Sequence, residues 1–168
     1  ALCVIREKVL KRVLIFGNSG SGKSTLAKRL CDSDRLSHLD LDTLAWMPTA
    51  SPERRSLIES ESEILNFIGS NNSWVIEGCY SDLLEITMPF SNEVIFINLP
   101  IESCIENARN RPWEPHKYES KETQDSNLEV LIDWISQYSE RTDTFSEASH
   151  TALYEKYTGK KSTVNQWG

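Results

Sequence analysis

The residues best suited to chemistry lie in one glycine-rich stretch near the start of the chain. Residues 17–25 read Gly-Asn-Ser-Gly-Ser-Gly-Lys-Ser-Thr and have the spacing G-x-x-x-x-G-K-S. Between an apolar strand and a helix, this spacing is typical of a loop that wraps nucleotide phosphates. Glycines let successive backbone N–H groups turn toward one anion, and the following helix N-terminus adds its positive dipole end. The residues expected to form this phosphate loop are Gly17, Asn18, Ser19, Gly20, Ser21, Gly22, Lys23, Ser24 and Thr25.

Three side chains at the end of the phosphate loop suit a magnesium-bound triphosphate. Lys23 would bridge the β- and γ-phosphates, and Ser24 would ligate Mg²⁺. Thr25 could reach the α-phosphate. The alternative is an ordinary Gly/Ser-rich turn, but the strand before it and the helix after it give the context that the motif needs. ATP and Mg²⁺ are therefore the expected cofactors.

Acidic residues follow two further strands of the predicted sheet. Residues 37–42 read Ser-His-Leu-Asp-Leu-Asp, an alternation that places Asp40 and Asp42 on one face. Glu77 ends another apolar strand, and the carboxyl ends of parallel strands share one edge of a sheet. We expect Asp42 to bind Mg²⁺ through water or to act as base for the hydroxyl of a phosphoryl acceptor. An acid that ends an apolar strand is costly to bury without a role, so Glu77 is expected to be functional. Asp40 either contacts the acceptor or pairs with a neighbouring cation.

The elements that must position these residues alternate between strand and helix. Continuous apolar runs are typical of strands buried on both faces of a parallel sheet, and residues 12–17 are expected at its centre. The fold class predicted is α/β, a three-layer α/β/α domain of residues 1–168 with a five-stranded parallel sheet. The predicted strands are 12–17, 37–42, 74–76, 93–100 and 161–166, and residues 1–11 are expected to be a short strand or lead-in.

Helix boundaries are predicted from capping residues and prolines. Ser51-Pro52-Glu53 has the pattern of a helix start, which predicts a helix over 52–68 ending at Gly69. Pro112 should stop the helix that begins at 101 and open a polar, irregular and mobile segment. The remaining predicted helices cover 24–31, a long helix opened by a capping box at Ser126–Glu129, and 145–157 after a second box at Thr144–Glu147.

Composition limits the function classes. The 168 residues carry a net charge of −7 with a pI near 5.0, which argues against a general nucleic-acid surface. The sequence contains no apolar run of the ~18–20 residues that a membrane span needs. Cys3, Cys31, Cys79 and Cys104 form no C-x-x-C pair, a pattern typical of reduced thiols in a cytoplasmic protein. His38, His116 and His150 lack metal-ligand spacing and are expected to be structural or exposed.

Three motifs beyond the phosphate loop carry a family resemblance. They are Leu41-Asp42-x-x-x-Trp46-x-Pro48, Trp74-Val-Ile-Glu77-Gly78-x-Tyr80-Ser81 and Glu93-Val-Ile-Phe-Ile-Asn-Leu-Pro100. Together they resemble the adenylate-kinase-related topology modulation proteins and, more distantly, nucleoside monophosphate kinases and shikimate-type kinases. The resemblance implies an acceptor-side helical region at about 43–72 and an arginine-bearing lid at about 109–125.

The resemblance also implies roles for individual residues. Arg109 and Arg111 stand where the lid arginines lie, one packing on the adenine and one neutralising the transferring phosphoryl group, and Arg141 could supply another guanidinium. Glu77-Gly78 stands where adenylate kinases have the Asp-Gly that orients metal-bound water. Those kinases continue with Phe-Pro-Arg, whose arginine grips the acceptor phosphate. Cys79-Tyr80-Ser81 replaces it here, which argues against AMP as acceptor.

The acceptor side is the least specific part of the pattern. Trp46 either stacks on an acceptor ring or belongs to the core, and Arg55 could bind a substrate anion. Tyr80 is a further candidate for substrate contact. The function expected is Mg²⁺-dependent transfer of the γ-phosphoryl group of ATP to a small-molecule acceptor. The alternative is a nucleotide-binding regulatory protein with slow ATPase activity and no dedicated acceptor.

Overall fold

A computed structural model describes residues 10–47 and 53–167, and its centre is a five-stranded parallel sheet with the strand order β2-β3-β1-β4-β5. The predicted fold class and the central place of β1 are confirmed. The side chains from Val13 to Phe16 are all buried, as expected for a strand covered on both faces. The strands are β1 (Arg12–Gly17), β2 (Ser37–Asp40), β3 (Trp74–Gly78), β4 (Glu93–Ile97) and β5 (Lys160–Val164).

Helices cover both faces of the sheet. Along β1, Leu14 and Phe16 point into one core and Val13 and Ile15 into the other. The first core is closed by α2, α3, α4 and α8, and the second by α1, α5 and α7. The described helices are α1 (Lys23–Asp34), α2 (Asp42–Ala45), α3 (Leu57–Ser70), α4 (Ser81–Thr87), α5 (Ile101–Arg109), α6 (Lys121–Ser126), α7 (Leu128–Ser136) and α8 (Glu147–Lys156), with a 3₁₀ turn at Met88–Phe90.

The start of α3 differs from the prediction. The helix begins at Leu57, after Ser56, whose hydroxyl accepts a hydrogen bond from the Glu59 N–H at 3.3 Å. Before it, residues 53–55 run back along residues 45–47, where the N–H of Met47 donates to the Glu53 carbonyl at 2.7 Å. This backbone pairing leaves Glu53 outside the helix, so the predicted start at Pro52 is wrong. The helix also ends at Ser70, one residue beyond the predicted end at Gly69. Residues 1–9, 48–52 and 168 lie outside the described ranges.

The segment after α5 contains more regular secondary structure than predicted. It contains α6, which is capped by Ser120, whose hydroxyl accepts a hydrogen bond from the Thr123 N–H at 3.1 Å. The predicted capping box at Ser126 is wrong, because Ser126 ends α6 and its hydroxyl donates to the Thr123 carbonyl at 2.8 Å. A short α7 follows instead of one long helix.

The last helix begins slightly later than its predicted capping box. Ser146 caps α8, and its hydroxyl accepts a hydrogen bond from the Ser149 N–H at 3.1 Å. The chain then returns to the sheet as β5, which confirms the predicted fifth strand. No helix in residues 10–47 and 53–167 combines the length and apolar character needed to cross a membrane.

Candidate active site

The carboxyl ends of the central strands border one open cleft of about 1060 Å³. The phosphate loop forms one wall, and the residues that follow β2 and β3 form the floor. Residues 110–117, between α5 and α6, form the opposite wall. The structure therefore brings Lys23, Asp42 and Glu77 to one cleft, in line with the converging strand ends predicted from the sequence.

The phosphate loop has a backbone path that requires glycine, as Gly20 and Gly22 illustrate. Gly20 has a φ of 76°, and a Cβ there would lie 2.3 Å from the Cys104 carbonyl oxygen. Gly22 has a φ of 94° and precedes the first residue of α1. Side chains are strained in this left-handed region, so the glycines allow the tight turn into the helix. The first-turn amides of α1 have no acceptor within the helix and face the end where an anion is favoured.

Hydrogen bonds to two other helices brace this loop. The Asn107 side-chain amide on α5 donates to the Gly20 carbonyl at 2.8 Å. The Asn18 side chain donates to the Ile135 carbonyl on α7 at 3.3 Å. Across the loop, Lys23 Nζ donates to the Asn18 carbonyl at 2.7 Å. The lysine that we expect to bind phosphates is therefore held over the loop by a backbone contact.

Glu77 is almost fully buried beside the phosphate loop. Its side chain is 2% exposed, and Oε1 accepts a hydrogen bond from the Ser24 hydroxyl at 3.1 Å. Burial, together with the nearby Asp40, raises the pKa of the Glu77 carboxyl to about 8. Among the described residues, Oε2 has no hydrogen-bond partner, although the His38 Nε2 lies 3.9 Å away. A buried carboxyl group without compensation is costly, which favours a role for a cation at this position.

The contact between Ser24 and Glu77 fits a bound Mg²⁺ ion. A hydroxyl and a carboxylate oxygen are both hard oxygen ligands, and Mg²⁺ commonly takes one or two such protein ligands beside phosphate oxygens and water. Within the described ranges, no group of three or more His, Cys, Asp or Glu is arranged to hold a metal ion by itself. Ser24 and Glu77 could provide the one or two protein ligands of a metal bound beside phosphate oxygens.

Asp42 lies just beyond the strand in which it was predicted. β2 ends at Asp40, and Asp42 begins α2, with its N–H donating to Asp40 Oδ1 at 2.9 Å. Its carboxylate accepts hydrogen bonds from the Tyr80 hydroxyl and from Lys117, whose Nζ lies 2.8 Å from Oδ2. Burial alone would raise the pKa of Asp42, but the contacts with Lys117 and Tyr80 outweigh burial and lower it. Asp42 is therefore held ionised and in a fixed orientation.

Lys117 is one residue of this site that the sequence analysis missed. Its ammonium lies 2.8 Å from Asp42, 3.3 Å from Glu114 and 3.6 Å from Asp40. Burial alone would lower the pKa of Lys117, but the carboxylates of Asp42 and Asp40 raise it further than burial lowers it. Lys117 belongs to an irregular polar segment without periodicity or motif, so only the folded chain shows that it meets Asp42.

The two predicted lid arginines lie in different surroundings. Arg111 lines the cleft, with its Nε 3.2 Å from Glu114. Arg109 is 53% exposed, lies 3.6 Å from Glu129 and is absent from the cleft lining. The difference follows from α5, which ends at Arg109, so that Arg111 belongs to the chain that turns across the cleft.

Two other candidate substrate arginines are held elsewhere. Arg55 contacts Glu63 at 2.9 Å and Glu59 at 3.6 Å along α3. Arg141 follows α7, where its guanidinium lies 3.2 Å from the centre of the Trp134 ring and pairs with Asp143. Neither side chain lines the cleft, because each already has local carboxylate partners on the outside of the domain.

Trp46 and Tyr80 lie behind Asp42 rather than on the surface of the cleft. The indole N–H of Trp46 donates to the Tyr80 hydroxyl at 2.8 Å, and that hydroxyl donates to Asp42. The side chain of Tyr80 is only 2% exposed, and burial raises its pKa. The geometry therefore gives these residues a supporting position behind Asp42.

Comparison with known proteins places this site in a family. A family model described as an AAA domain matches residues 13–129, which contain the phosphate loop, the acids and Lys117. The chain belongs to this AAA domain family. It is 26% identical over 161 residues to the uncharacterized protein YqaC of Bacillus subtilis (strain 168), covering 88% of this chain and 82% of that protein.

One solved structure agrees with the fold of this AAA domain, and a second is similar at a lower score. A sugar kinase from Janibacter sp. HTCC2649 superposes with a TM-score of 0.51 at 12% identity, covering 94% of this chain and 86% of the kinase. A gluconokinase from Sinorhizobium meliloti 1021 gives 0.48 at 16% identity, with 94% and 84% coverage. The likeness to the sugar kinase shows a P-loop kinase-like fold, which confirms the predicted fold class.

Trp167 is a second residue that the sequence analysis missed, and it lies beside the phosphate loop of this AAA domain. Trp167 lines the cleft, and its indole N–H donates to the Ser21 carbonyl at 3.1 Å. Its ring also borders Gly22, where a Cβ would lie 3.0 Å from the indole nitrogen. An isolated tryptophan after β5 carries no sequence signal for this contact.

Proposed function

We propose that this AAA domain is a Mg²⁺-dependent phosphotransferase that moves the γ-phosphoryl group of ATP to a small-molecule acceptor. The observation that carries the proposal is the single cleft that joins the phosphate loop to Asp40 and Asp42. At about 1060 Å³, it exceeds the upper end of the ~300–1,000 Å³ range typical of small-molecule sites. This size leaves room for a second ligand beside the nucleotide phosphates.

The side chains of the cleft have complementary roles in this reaction. Backbone amides of the phosphate loop hold the nucleotide phosphates, while Lys23 and Arg111 offset negative charge on the transferred group. Bound with the nucleotide near Ser24 and Glu77, Mg²⁺ would supply further neutralisation of phosphate charge. Asp42, oriented by the Tyr80 hydroxyl, accepts the hydrogen bond of an acceptor hydroxyl and takes its proton.

The proposal includes the predicted organisation of the chain. Residues 1–168 form one catalytic domain, with an acceptor-side region at about 43–72 and a lid at about 109–125. α2 begins at Asp42, and the chain from Arg111 to Lys117 crosses the cleft. This arrangement supports closure over the substrates, which would exclude water from the transferred group.

ADP release in the presence of candidate acceptors tests the proposal. The panel contains sugars, polyols, hydroxy acids, nucleosides and nucleotides, each with ATP and Mg²⁺. We predict that one class stimulates ADP release and that Lys23→Met lowers the stimulated rate about a hundredfold or more, the scale expected for a lost charge-stabilising contact. Its unfolding midpoint should stay near that of the wild type. Lys160→Met, at an exposed position of β5, is the matched control.

A specific observation supports the alternative function. Lys117 already pairs with Asp40 and Asp42, so both acids have a cationic partner from the chain itself. A nucleotide-binding regulatory protein with slow ATPase activity would use the phosphate loop but need no acceptor site. Slow ADP release that depends on Lys23, and that no acceptor stimulates, would favour this alternative over the phosphotransferase.

A further inference from the structure

The chain from Pro112 to Tyr118, called here the gate segment, crosses the cleft opposite the phosphate loop. Its base is tied to α6, because the Gln124 side chain donates to the Pro112 carbonyl at 3.0 Å and accepts from the Glu114 N–H at 2.8 Å. A turn follows, in which the Lys117 N–H donates to the Glu114 carbonyl at 3.0 Å. The gate segment is therefore anchored at one end, with Lys117 in the turn that reaches the acids.

Lys117 is the connection between the gate segment and the floor of the cleft. Its side chain is 20% exposed, and those of Asp40 and Glu114 are 10% and 19% exposed. Charges in such a partly buried place are screened less than surface charges, so the contact contributes more than a typical exposed ion pair. His116 adds a weaker approach to the same acid, with Nε2 4.0 Å from Asp40.

The acids that receive Lys117 are fixed from behind. The Asp42 N–H binds Asp40, and the Tyr80 hydroxyl binds Asp42. Tyr80 is in turn held by the Trp46 indole. The carboxylates have partners that hold them in place, whereas Lys117 extends from a turn on a long flexible side chain. A ligand that reaches Asp42 from the cleft must therefore displace the ammonium rather than the acid.

We propose that Lys117 is a gate residue. When no ligand is bound, its ammonium holds the gate segment closed over Asp40 and Asp42, and the segment opens when the ammonium leaves these two acids. The inference rests on the proposed function in one respect, which is that Asp40 and Asp42 are taken to border the binding place of the phosphoryl acceptor. The contact itself is formed by residues of this chain alone. It covers Asp42 at the place where an acceptor hydroxyl would meet its base.

Amide hydrogen exchange of the ligand-free protein tests the gate. The amides of Lys117 and Tyr118 both donate to the Glu114 carbonyl, so they report opening of the turn. Losing a charged hydrogen bond costs about 1.5–3 kcal/mol, which corresponds to roughly ten- to hundredfold faster exchange. We expect this acceleration in Lys117→Met and, through loss of the partner charge, in Asp42→Asn.

Three further variants separate a charge-dependent gate from general loosening. Lys117→Arg keeps the positive charge and should retain most of the protection. Lys121→Met, at an exposed position in the first turn of α6, should exchange like the wild type at 117 and 118. Combining Lys117→Met with Asp42→Asn should accelerate exchange by less than the product of the two single effects, because both remove one contact.

Equal exchange at these amides in the wild type and Lys117→Met would overturn the gate. So would equal acceleration in Lys117→Arg and Lys117→Met, since that result would mean that the charge has no part in closure. None of these measurements uses ATP or an acceptor. A failure to detect phosphotransferase activity would therefore not contradict the gate. A negative exchange result would likewise not contradict the phosphotransferase, which is tested by ADP release.

Discussion

A buried histidine behind the site should make the stability of this domain depend on pH. His150 on α8 is fully buried, with Nδ1 2.7 Å from the Tyr138 hydroxyl and Nε2 2.8 Å from the Cys79 carbonyl. A carbonyl can only accept, so Nε2 carries the proton and Nδ1 accepts from the tyrosine. In the neutral ring, both nitrogens therefore have a hydrogen-bond partner. A second proton would place a charge inside the core and remove an acceptor.

The direction and size of the effect follow from the pKa. Burial lowers the pKa of His150 from 6.5 to about 4. The unfolded chain therefore binds the extra proton first, and the stabilising contribution is fully present above pH 6.5 and lost as the pH falls toward 4. Between pH 7.5 and 4.5, this group alone should cost about 2.5 kcal/mol of unfolding free energy, since one pKa unit is worth ~1.36 kcal/mol.

Denaturant titrations of wild type and His150→Gln at several pH values isolate this contribution. Glutamine can still donate to the Cys79 carbonyl but does not titrate, so its variant keeps all other pH-dependent groups. The stability advantage of the wild type over His150→Gln should shrink by roughly 2–3 kcal/mol between pH 7.5 and 4.5. The same difference measured at pH 7.5 and 8.5 should not change. An advantage that stays constant down to pH 4.5 would refute the assignment of a buried neutral histidine.

Two further predictions concern the phosphate loop and the lid. Gly20→Ala should lower stability by about 2–5 kcal/mol and abolish ATP binding, because its Cβ would meet the Cys104 carbonyl in a left-handed backbone. Gly69→Ala is the matched control, because its Cβ would meet nothing within 4 Å and alanine favours a helix by up to about 1 kcal/mol. Calorimetry would measure the stability of both variants and nucleotide titration their ATP binding; a stable, ATP-binding Gly20→Ala or a destabilised Gly69→Ala would contradict the prediction. Arg111→Ala should slow phosphoryl transfer about a hundredfold. Arg109→Ala should remain near the wild-type rate, and similar losses in both would contradict their different placement.

The parts of the fold that the sequence predicts are those with local signals. The apolar run of β1, the glycine spacing and the helix that follows occupy neighbouring positions in the chain, and their arrangement can be read without tertiary contacts. The alternation around Asp40 likewise predicts a strand, although it does not show that the strand ends before Asp42. That boundary depends on the start of α2 and on the Asp42 N–H, which turns back to Asp40.

The parts that the sequence does not predict depend on distant partners. Pro52 suggests a helix start, yet residues 53–55 pair with 45–47 and delay α3 to Leu57. Lys117 meets Asp42 only because the gate segment crosses the cleft, a contact with no periodic pattern. Arg109 and Arg111 also look equivalent in the sequence. Only Arg111 lines the cleft, because it belongs to the chain that turns across it after α5 ends.

The most direct test of the central claim follows the γ-phosphoryl group itself. The protein would be incubated with γ-labelled ATP, Mg²⁺ and each acceptor that stimulates ADP release, and the products would be separated and identified. The account predicts label in a phosphorylated organic product, in amounts matching ADP, and none above background with Lys23→Met. Label found only in inorganic phosphate with every acceptor would contradict it.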